Sequence, residues 1–469
     1  MNAPAPAPDS APRTSARRFA WLSTAIVLLA LALRVFYVFD AEVKIPIRGD
    51  SNDYVLYAWN LDTAGTFSST LPGSGPVAAD SYRGPGYPLL LAGAMRLAGD
   101  TRLVLREADR GRLEMAFEPP RWITIAYLLQ AVCGALGVLV VILLARFWLP
   151  RGAALAAGLL LALWPHAIVF CATLLSETLF GTLLLLAVLL LAAAEQSRRA
   201  GLAALAGATF ACAYLVNPII ALFPLLAAWL LAWRGARRCA LVLLALFALG
   251  PLGWGLRNAS LPAPTHGALQ RAEQNFVQGS WPQFLLALAT RFDNDISAQI
   301  VAAEGEEERT FLADRDAGFA AMHARMALDP AYYTRWYLLD KPFLLWDWGI
   351  RIGAGDIYFL ETTHSPFERI AMLRGMRAFF AAANPWLFLL ALAAALPCLV
   401  AGWRLRVPFA LGASAWLVAY VTAMHDVLQA EPRYSIPYRA FEVLLALSAL
   451  AWIARWLHGV YAKAAQART

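Results

Sequence analysis

Long apolar runs separated by short basic linkers dominate this chain. Ten runs are read as spans: Phe19–Phe39, Ile123–Phe147, Ala153–Phe170, Thr178–Ala194, Gly201–Leu215, Ile219–Trp233, Cys239–Leu256, Phe379–Ala401, Val407–Met424 and Ala440–Trp456. Several are shorter than the roughly 20 residues a perpendicular membrane helix needs, so tilted and re-entrant pieces are expected among about ten transmembrane helices. Trp21, Trp122, Trp148, Trp233, Trp386, Trp403 and Trp456 mark run ends, as an interfacial aromatic belt would. The pattern predicts an all-α polytopic membrane protein with interfacial helices in two large loops.

The linkers orient it. Arg13/Arg17/Arg18, Arg146/Arg151, Arg198/Arg199, Arg234/Arg237/Arg238, Arg404/Arg406 and Arg455/Lys463/Arg468 are basic, opposed only by Glu195. Basic flanks stay on the cytoplasmic side of a membrane, which places both termini there. The opposite face then collects Asp40–Arg121, the turn at Glu177, the bend at Asn217-Pro218, the stretch Arg257–Arg377 and His425–Arg439. Expected divisions are a disordered cytoplasmic tail (1–18), an N-terminal transmembrane catalytic module (19–256) with its first outer loop (40–121), a large outer-face loop region (257–378), C-terminal transmembrane helices (379–457) and a cytoplasmic tail (458–469). Arg17-Arg18 precede a run longer than a signal-peptide core, and it is read as an uncleaved first span.

Composition agrees with the pattern. Of 469 residues, 60% are hydrophobic and 15% charged, against about a quarter charged in soluble domains. The net charge of +7 sits beside the apolar runs, so it carries membrane topology and implies no nucleic-acid partner. Five cysteines lie in or at the ends of the runs, without disulfide or zinc spacing. His166, His364 and His425 make no metal pattern either.

The unusual polar residues all fall on the outer face. Ile47-Arg48-Gly49-Asp50-Ser51-Asn52-Asp53-Tyr54 follows the first span, and Tyr82-Arg83-Gly84-Pro85-Gly86-Tyr87-Pro88 lies further along the same loop. Asp50 or Asp53 could serve as a general base, or could cap the helix that starts there. Glu177 opens a span, where a carboxylate is costly unless it meets a polar cavity. Arg83, Arg257 (beside Asn258) and Arg433 (in Glu431-Pro432-Arg433-Tyr434) present planar forks suited to phosphate oxygens; each could equally contact lipid head groups. The run Glu304-Gly305-Glu306-Glu307-Glu308-Arg309 reads as a solvated face.

Gly49-Asp50-Ser51-Asn52-Asp53-Tyr54, Tyr82 to Pro88, Leu175-Ser176-Glu177-Thr178-Leu179-Phe180, Arg257-Asn258 and Glu431-Pro432-Arg433-Tyr434 together resemble the GT-C class of membrane glycosyltransferases. Within that class they resemble the branch of protein O-mannosyltransferases and bacterial aminoarabinose transferases of lipid A. The resemblance implies inverting sugar transfer from a polyprenyl-phosphate donor to a glycan, lipid or protein acceptor at the periplasmic face of a bacterial inner membrane. It implies Asp50 as the essential acid with Asp53 as fallback, Glu177 as a second acid, and Arg83 at the donor phosphate. Tyr54, Tyr82, Tyr87, Asn258, Glu431 and Tyr434 fall within or beside these motifs as further site candidates. Many relatives carry an Asp-Glu pair where this chain has Asp50-Ser51, so the choice between Asp50 and Asp53 stays open. No metal ligand or cofactor is assigned, and a divalent cation remains an option because related branches differ. The alternative is a transporter or flippase of a lipid-linked substrate, which would call for internal repeats and mid-membrane charges; no repeat is seen.

Overall fold

The computed structural model describes residues 13–103, 105–108, 112–115, 120–262, 267–401 and 407–466. The expected tail up to residue 12, Trp403, Arg404, Arg406 and Arg468 lie outside the described residues. Helices α1 (Arg13–Asp40), α2 (Asp50–Ala64), α3 (Gly86–Ala98), α4 (Arg121–Ala145), α5 (Arg151–Leu163), α6 (Pro165–Val169), α7 (Glu177–Ser197), α8 (Ala200–Val216), α9 (Phe223–Trp233) and α10 (Arg237–Ala259) build the N-terminal part. The large loop folds into α11 (Ala268–Gly279), α12 (Phe284–Thr290), α13 (Asp295–Ala313), α14 (Arg315–Ala327), α15 (Pro330–Arg335), α16 (Lys341–Leu345) and α17 (Pro366–Arg369). Then follow α18 (Ala371–Ala401), α19 (Phe409–Val427), α20 (Pro432–Ser435) and α21 (Arg439–Gln466).

Each of the ten apolar runs is largely helical, Ala153–Phe170 and Ile219–Trp233 in two pieces each, but about ten full spans are not found. Among the described residues six helices are long and apolar enough to cross a membrane, or seven if α5 and α6, bent by 58° at Trp164, count as one. Helix α8 has 17 residues and α9 has 11. At about 1.5 Å per residue both fall short of an apolar layer about 30 Å thick. Proline stays inside α10 (Pro251) and α18 (Pro385, Pro397), as membrane-spanning helices tolerate better than soluble ones.

Packing runs in a row, α1 on α4, α4 on α7, α7 on α8 and α8 on α10. A second group, α18, α19 and α21, joins it where α19 meets α7 and α21 meets α5. Small residues allow the close approaches: a Cβ on Gly250 would sit 2.9 Å from the Cβ of Ala211. Strand β1 (Glu42–Val43) pairs antiparallel with β4 (Thr362–Thr363), tying the loop after α1 to the end of the large one, while β2 (Leu105–Ala108) and β3 (Arg112–Met115) form a separate hairpin. The acidic run on α13 is not the solvated face expected. Glu304 and Glu307 are buried, because residues three and four apart share a helix face and this one turns toward α11 and α14; Glu306 on the other side stays exposed.

Candidate active site

Asp50 and Asp53 occupy the first turn of α2, where the helix dipole favours negative charge. The cap position belongs to Gly49, whose φ of 60° suits glycine, and no side chain caps the helix. Both carboxylates are therefore available to other partners.

Arg83 is delivered by a loop folded onto a buried acid. Asp80 accepts hydrogen bonds from Ser69 N at 2.9 Å, from Ser69 Oγ at 2.6 Å and from the Tyr57 hydroxyl. Just past Arg83, Gly84 and Gly86 lie flush against the end of α8. A Cβ on Gly84 would strike the Leu215 carbonyl oxygen, and one on Gly86 would lie 2.8 Å from Val216 N. The glycines of the Tyr82–Pro88 motif thus allow backbone to touch backbone. From this seat Arg83 Nη2 reaches Asp50 Oδ1 at 2.7 Å and Nε reaches Asp53 Oδ2 at 2.8 Å. Its guanidinium carbon stands 5.1 Å from the Tyr54 ring centre and 5.3 Å from that of Tyr82.

Arg433 arrives from the other end of the chain. Glu431 caps α20, accepting from Arg433 N at 2.6 Å, and it also accepts from Arg351 N at 2.7 Å. Arg433 Nη2 bonds Asp50 Oδ2 at 2.6 Å, and its Nε lies 3.3 Å from Glu177 Oε1. Gly181, one turn beyond Glu177, lets α7 approach this segment, since a Cβ there would be 3.0 Å from the Pro437 carbonyl oxygen. One guanidinium thereby links the early aspartate to the acid that opens α7.

A third guanidinium, Arg271 on α11, stands 3.6 Å from Asp50 Oδ1 and 5.4 Å from the Tyr82 ring centre. Helix α11 is seated by Gly279, which lies flush against the backbone at Leu428 and Gln429. Burial alone would raise the Asp50 carboxyl, but Arg83, Arg433 and Arg271 outweigh it and hold the group well below the usual carboxylate range.

These groups wall a cavity of about 310 Å³. Asp50, Arg83, Arg271 and Arg433 form its charged side, with Tyr82, Glu431 and Tyr434 also on the lining; Gln274, Asn275, Gln278 and Gln429 add carboxamides, and Phe284, Leu288 and Phe359 an apolar flank. Other expected residues lie elsewhere. Asp53 holds Arg83, and Glu177 sits behind Arg433, so neither lines the cavity. Tyr54 packs edge-on against Tyr87, whose hydroxyl donates to Gln130 at 3.0 Å. The placement of Arg257 at the site is corrected: its Nη2 donates to Phe67 O at 3.2 Å, its Nη1 to Asp80 O and to Asn258 Oδ1 at 3.0 Å. Main-chain carbonyls of the first loop claim its donors, so it fastens that loop.

Sequence reasoning missed Arg271, Gln274, Asn275 and Gln278. Their spacing of three, four and seven residues puts them on one helix face, and that period, opposite Phe276 and Val277, was the available signal. Among the described residues no three His, Cys, Asp or Glu side chains come together as metal ligands; the acids of the site meet guanidiniums instead.

Residues 123–252 match the family described as dolichyl-phosphate-mannose-protein mannosyltransferase. No curated protein matches the chain in sequence. Among solved structures it resembles the archaeal oligosaccharyltransferase AglB from Archaeoglobus fulgidus in complex with an inhibitory peptide and a dolichol-phosphate, with TM-score 0.51 and 15% identity over 96% of this chain and 52% of the other. A second structure of the Archaeoglobus fulgidus enzyme, tethered to an acceptor peptide containing the NVT sequon, gives TM-score 0.50 and 16% identity over 94% of this chain and 50% of that one. ArnT from Cupriavidus metallidurans bound to undecaprenyl phosphate gives 0.37 and 14% identity over 94% and 78%. The chain thus has the fold of the GT-C membrane glycosyltransferases, and it spans about half the length of the oligosaccharyltransferase chains.

Proposed function

We propose that this protein is an inverting glycosyltransferase that moves a sugar from a polyprenyl-phosphate donor to an acceptor hydroxyl at the periplasmic face of a bacterial inner membrane. The observation that carries the reading is the Asp50 carboxylate, clasped by Arg83 and Arg433 and approached by Arg271 on the wall of one cavity. A sugar on a lipid phosphate already has a competent leaving group. Transfer then needs a base for the incoming hydroxyl and cations for the charge that grows on the phosphate as its bond to the anomeric carbon breaks.

In this reading Arg83, Arg271 and Arg433 take the donor phosphate and Asp50 takes the acceptor proton. The acceptor oxygen attacks the anomeric carbon opposite the phosphate, the new glycosidic bond forms, and the lipid phosphate departs with the electron pair. Before the donor arrives, the same guanidiniums hold Asp50, which leaves it a weak base. A phosphate that draws them away raises the proton affinity of Asp50, so donor binding prepares the base. Asp53 and Glu177 are positioning residues, the first for Arg83 and the second for Arg433. Arg433 lies over the Phe359 ring at 4.3 Å, a contact that steadies its plane at the cavity.

The test is sugar transfer from a polyprenyl-phosphate donor by the reconstituted full chain. Asp50→Asn should lose about 10²–10⁴-fold in turnover while still binding donor; normal turnover in that variant would remove the assigned base. Mass spectrometry of lipid-linked sugars and surface glycans in a deletion strain would identify donor and acceptor.

A further inference from the structure

A second cavity, of about 350 Å³, opens between α16, α18 and α19 and shares no lining residue with the one at Asp50. Its walls are apolar, with Phe343, Phe388, Leu396 and Val418 among them. The α18 surface beside it carries exposed Leu389, Leu392 and Leu396, so the groove faces the lipid side of the bundle. Its polar lining is Thr422 and two acids, Asp426 and Glu442.

Most donors around these acids are engaged, although Arg439 Nε has no partner among the described residues. Arg439 Nη1 bonds Glu442 Oε2 at 2.8 Å and Asn384 Oδ1 at 3.0 Å. Lys341 Nζ donates to the main-chain oxygen of Asp426. The Thr422 hydroxyl donates to Val418 O at 2.8 Å while accepting from Trp346 Nε1 at 3.0 Å. Glu442 is 1% exposed, yet its Oε1, like Asp426 Oδ1, has no hydrogen-bond partner among the described residues. An orphaned buried carboxylate oxygen is costly, and it can only accept.

We propose that this groove binds a membrane phospholipid with a primary ammonium head group, an acyl chain lying along α18 and α19 and the ammonium donating into the carboxylate rim. The two orphaned carboxylate oxygens are acceptors, and an ammonium offers three donors with no acceptor, which is the complementary set. A quaternary choline head has no N–H to give, and hydroxyl heads bring unmatched acceptors of their own.

The full chain is reconstituted in equal parts phosphatidylethanolamine, phosphatidylcholine and phosphatidylglycerol, re-extracted in detergent, and its retained lipid is quantified by mass spectrometry. Phosphatidylethanolamine should be enriched about tenfold over the other two, the equivalent of one charge-assisted hydrogen bond. Asp426→Asn and Glu442→Gln should each remove most of that enrichment. Ala423→Phe, which fills the groove from an exposed lining position, should abolish it and leaves the proposal testable if Glu442→Gln fails to fold. Equal retention of the three lipids, enrichment unchanged in Asp426→Asn and Ala423→Phe, or displacement of the bound lipid by undecaprenyl phosphate would overturn the assignment.

Discussion

Arg433 and Arg257 hold their guanidiniums in opposite ways. Arg433 meets two carboxylates, Asp50 at 2.6 Å and Glu177 at 3.3 Å, at the edge of a cavity. Arg257 meets main-chain carbonyls of Phe67 and Asp80 and stacks 4.8 Å from the Trp254 ring centre, away from the cavity lining. A carboxylate can release its cation when a stronger anion arrives, since the pair is held by charge. A carbonyl clamp offers no such exchange, and loosening it only loosens the loop. The number of hydrogen bonds says little about which arginine is available to a substrate; the kind of partner and the open space beside it say more.

Exchanging each arginine for lysine gives the sharpest separation. A lysine is a point charge that cannot span Asp50 and Glu177 together, so Arg433→Lys should lower transfer by about 10²–10³-fold. Arg257→Lys should keep turnover per folded molecule within a few-fold and lower stability by about 1–3 kcal/mol through the carbonyls left unpaired. Initial rates normalised to monodisperse protein, beside thermal melts, read both. A rate collapse in Arg257→Lys with an unchanged melt would break the comparison.

The next effect lies between the two sites. Gly84→Ala forces a methyl group into the Leu215 carbonyl and shifts the loop that carries Arg83. Overpacking of this kind costs about 1–3 kcal/mol, and here it should also raise KM for the donor because Arg83 moves with the loop. Gly93→Ala, on α3 with no atom near its Cβ, is the control and should change neither.

Asp50, Arg83 and Arg433 were legible because each lies in a compact polar motif between apolar runs, and run parity grouped those motifs together. Arg257 has the same sequence appearance. What separates it is the position of the Phe67 and Asp80 carbonyls, set by a loop anchored on buried Asp80, and no local pattern shows that. Arg271 was hidden for the converse reason. It belongs to a polar-faced helix in a loop that reads as soluble, and it reaches Asp50 through the seating of Gly279 on Leu428. The helices of the membrane part were readable from the apolar runs. Their lengths were not, since breaks such as that at Trp164 depend on how α5 and α6 pack.

The smallest effect concerns two carboxyls, one on α2 and one on α13, with opposite surroundings. Asp50 has guanidiniums around it and is held well below the usual range. Glu304, whose Oε1 has no partner among the described residues, is pushed up to about 8 by burial and by its neighbours Glu308 and Glu307. The two should act on stability with opposite signs. For Asp50 the folded form binds its proton less readily than the unfolded chain, so its contribution is complete above about pH 4 and fades as pH falls toward the folded value. For Glu304 the folded form keeps a proton that the unfolded chain has lost, so stability drops as pH rises from about 4.3 to about 8 and levels off beyond. Thermal melts across pH for wild type, Asp50→Asn and Glu304→Gln resolve this. The gap between wild type and Asp50→Asn should stay flat from pH 8 to 5 and close below 4, whereas Glu304→Gln should gain on wild type between pH 5 and 8. A Glu304→Gln protein that tracks wild type across that interval would mean that Glu304 is ionised in the fold and shares the Arg325 charge with Glu307, and the contrast between a guanidinium-held acid and an unpaired one would then rest on Asp50 alone.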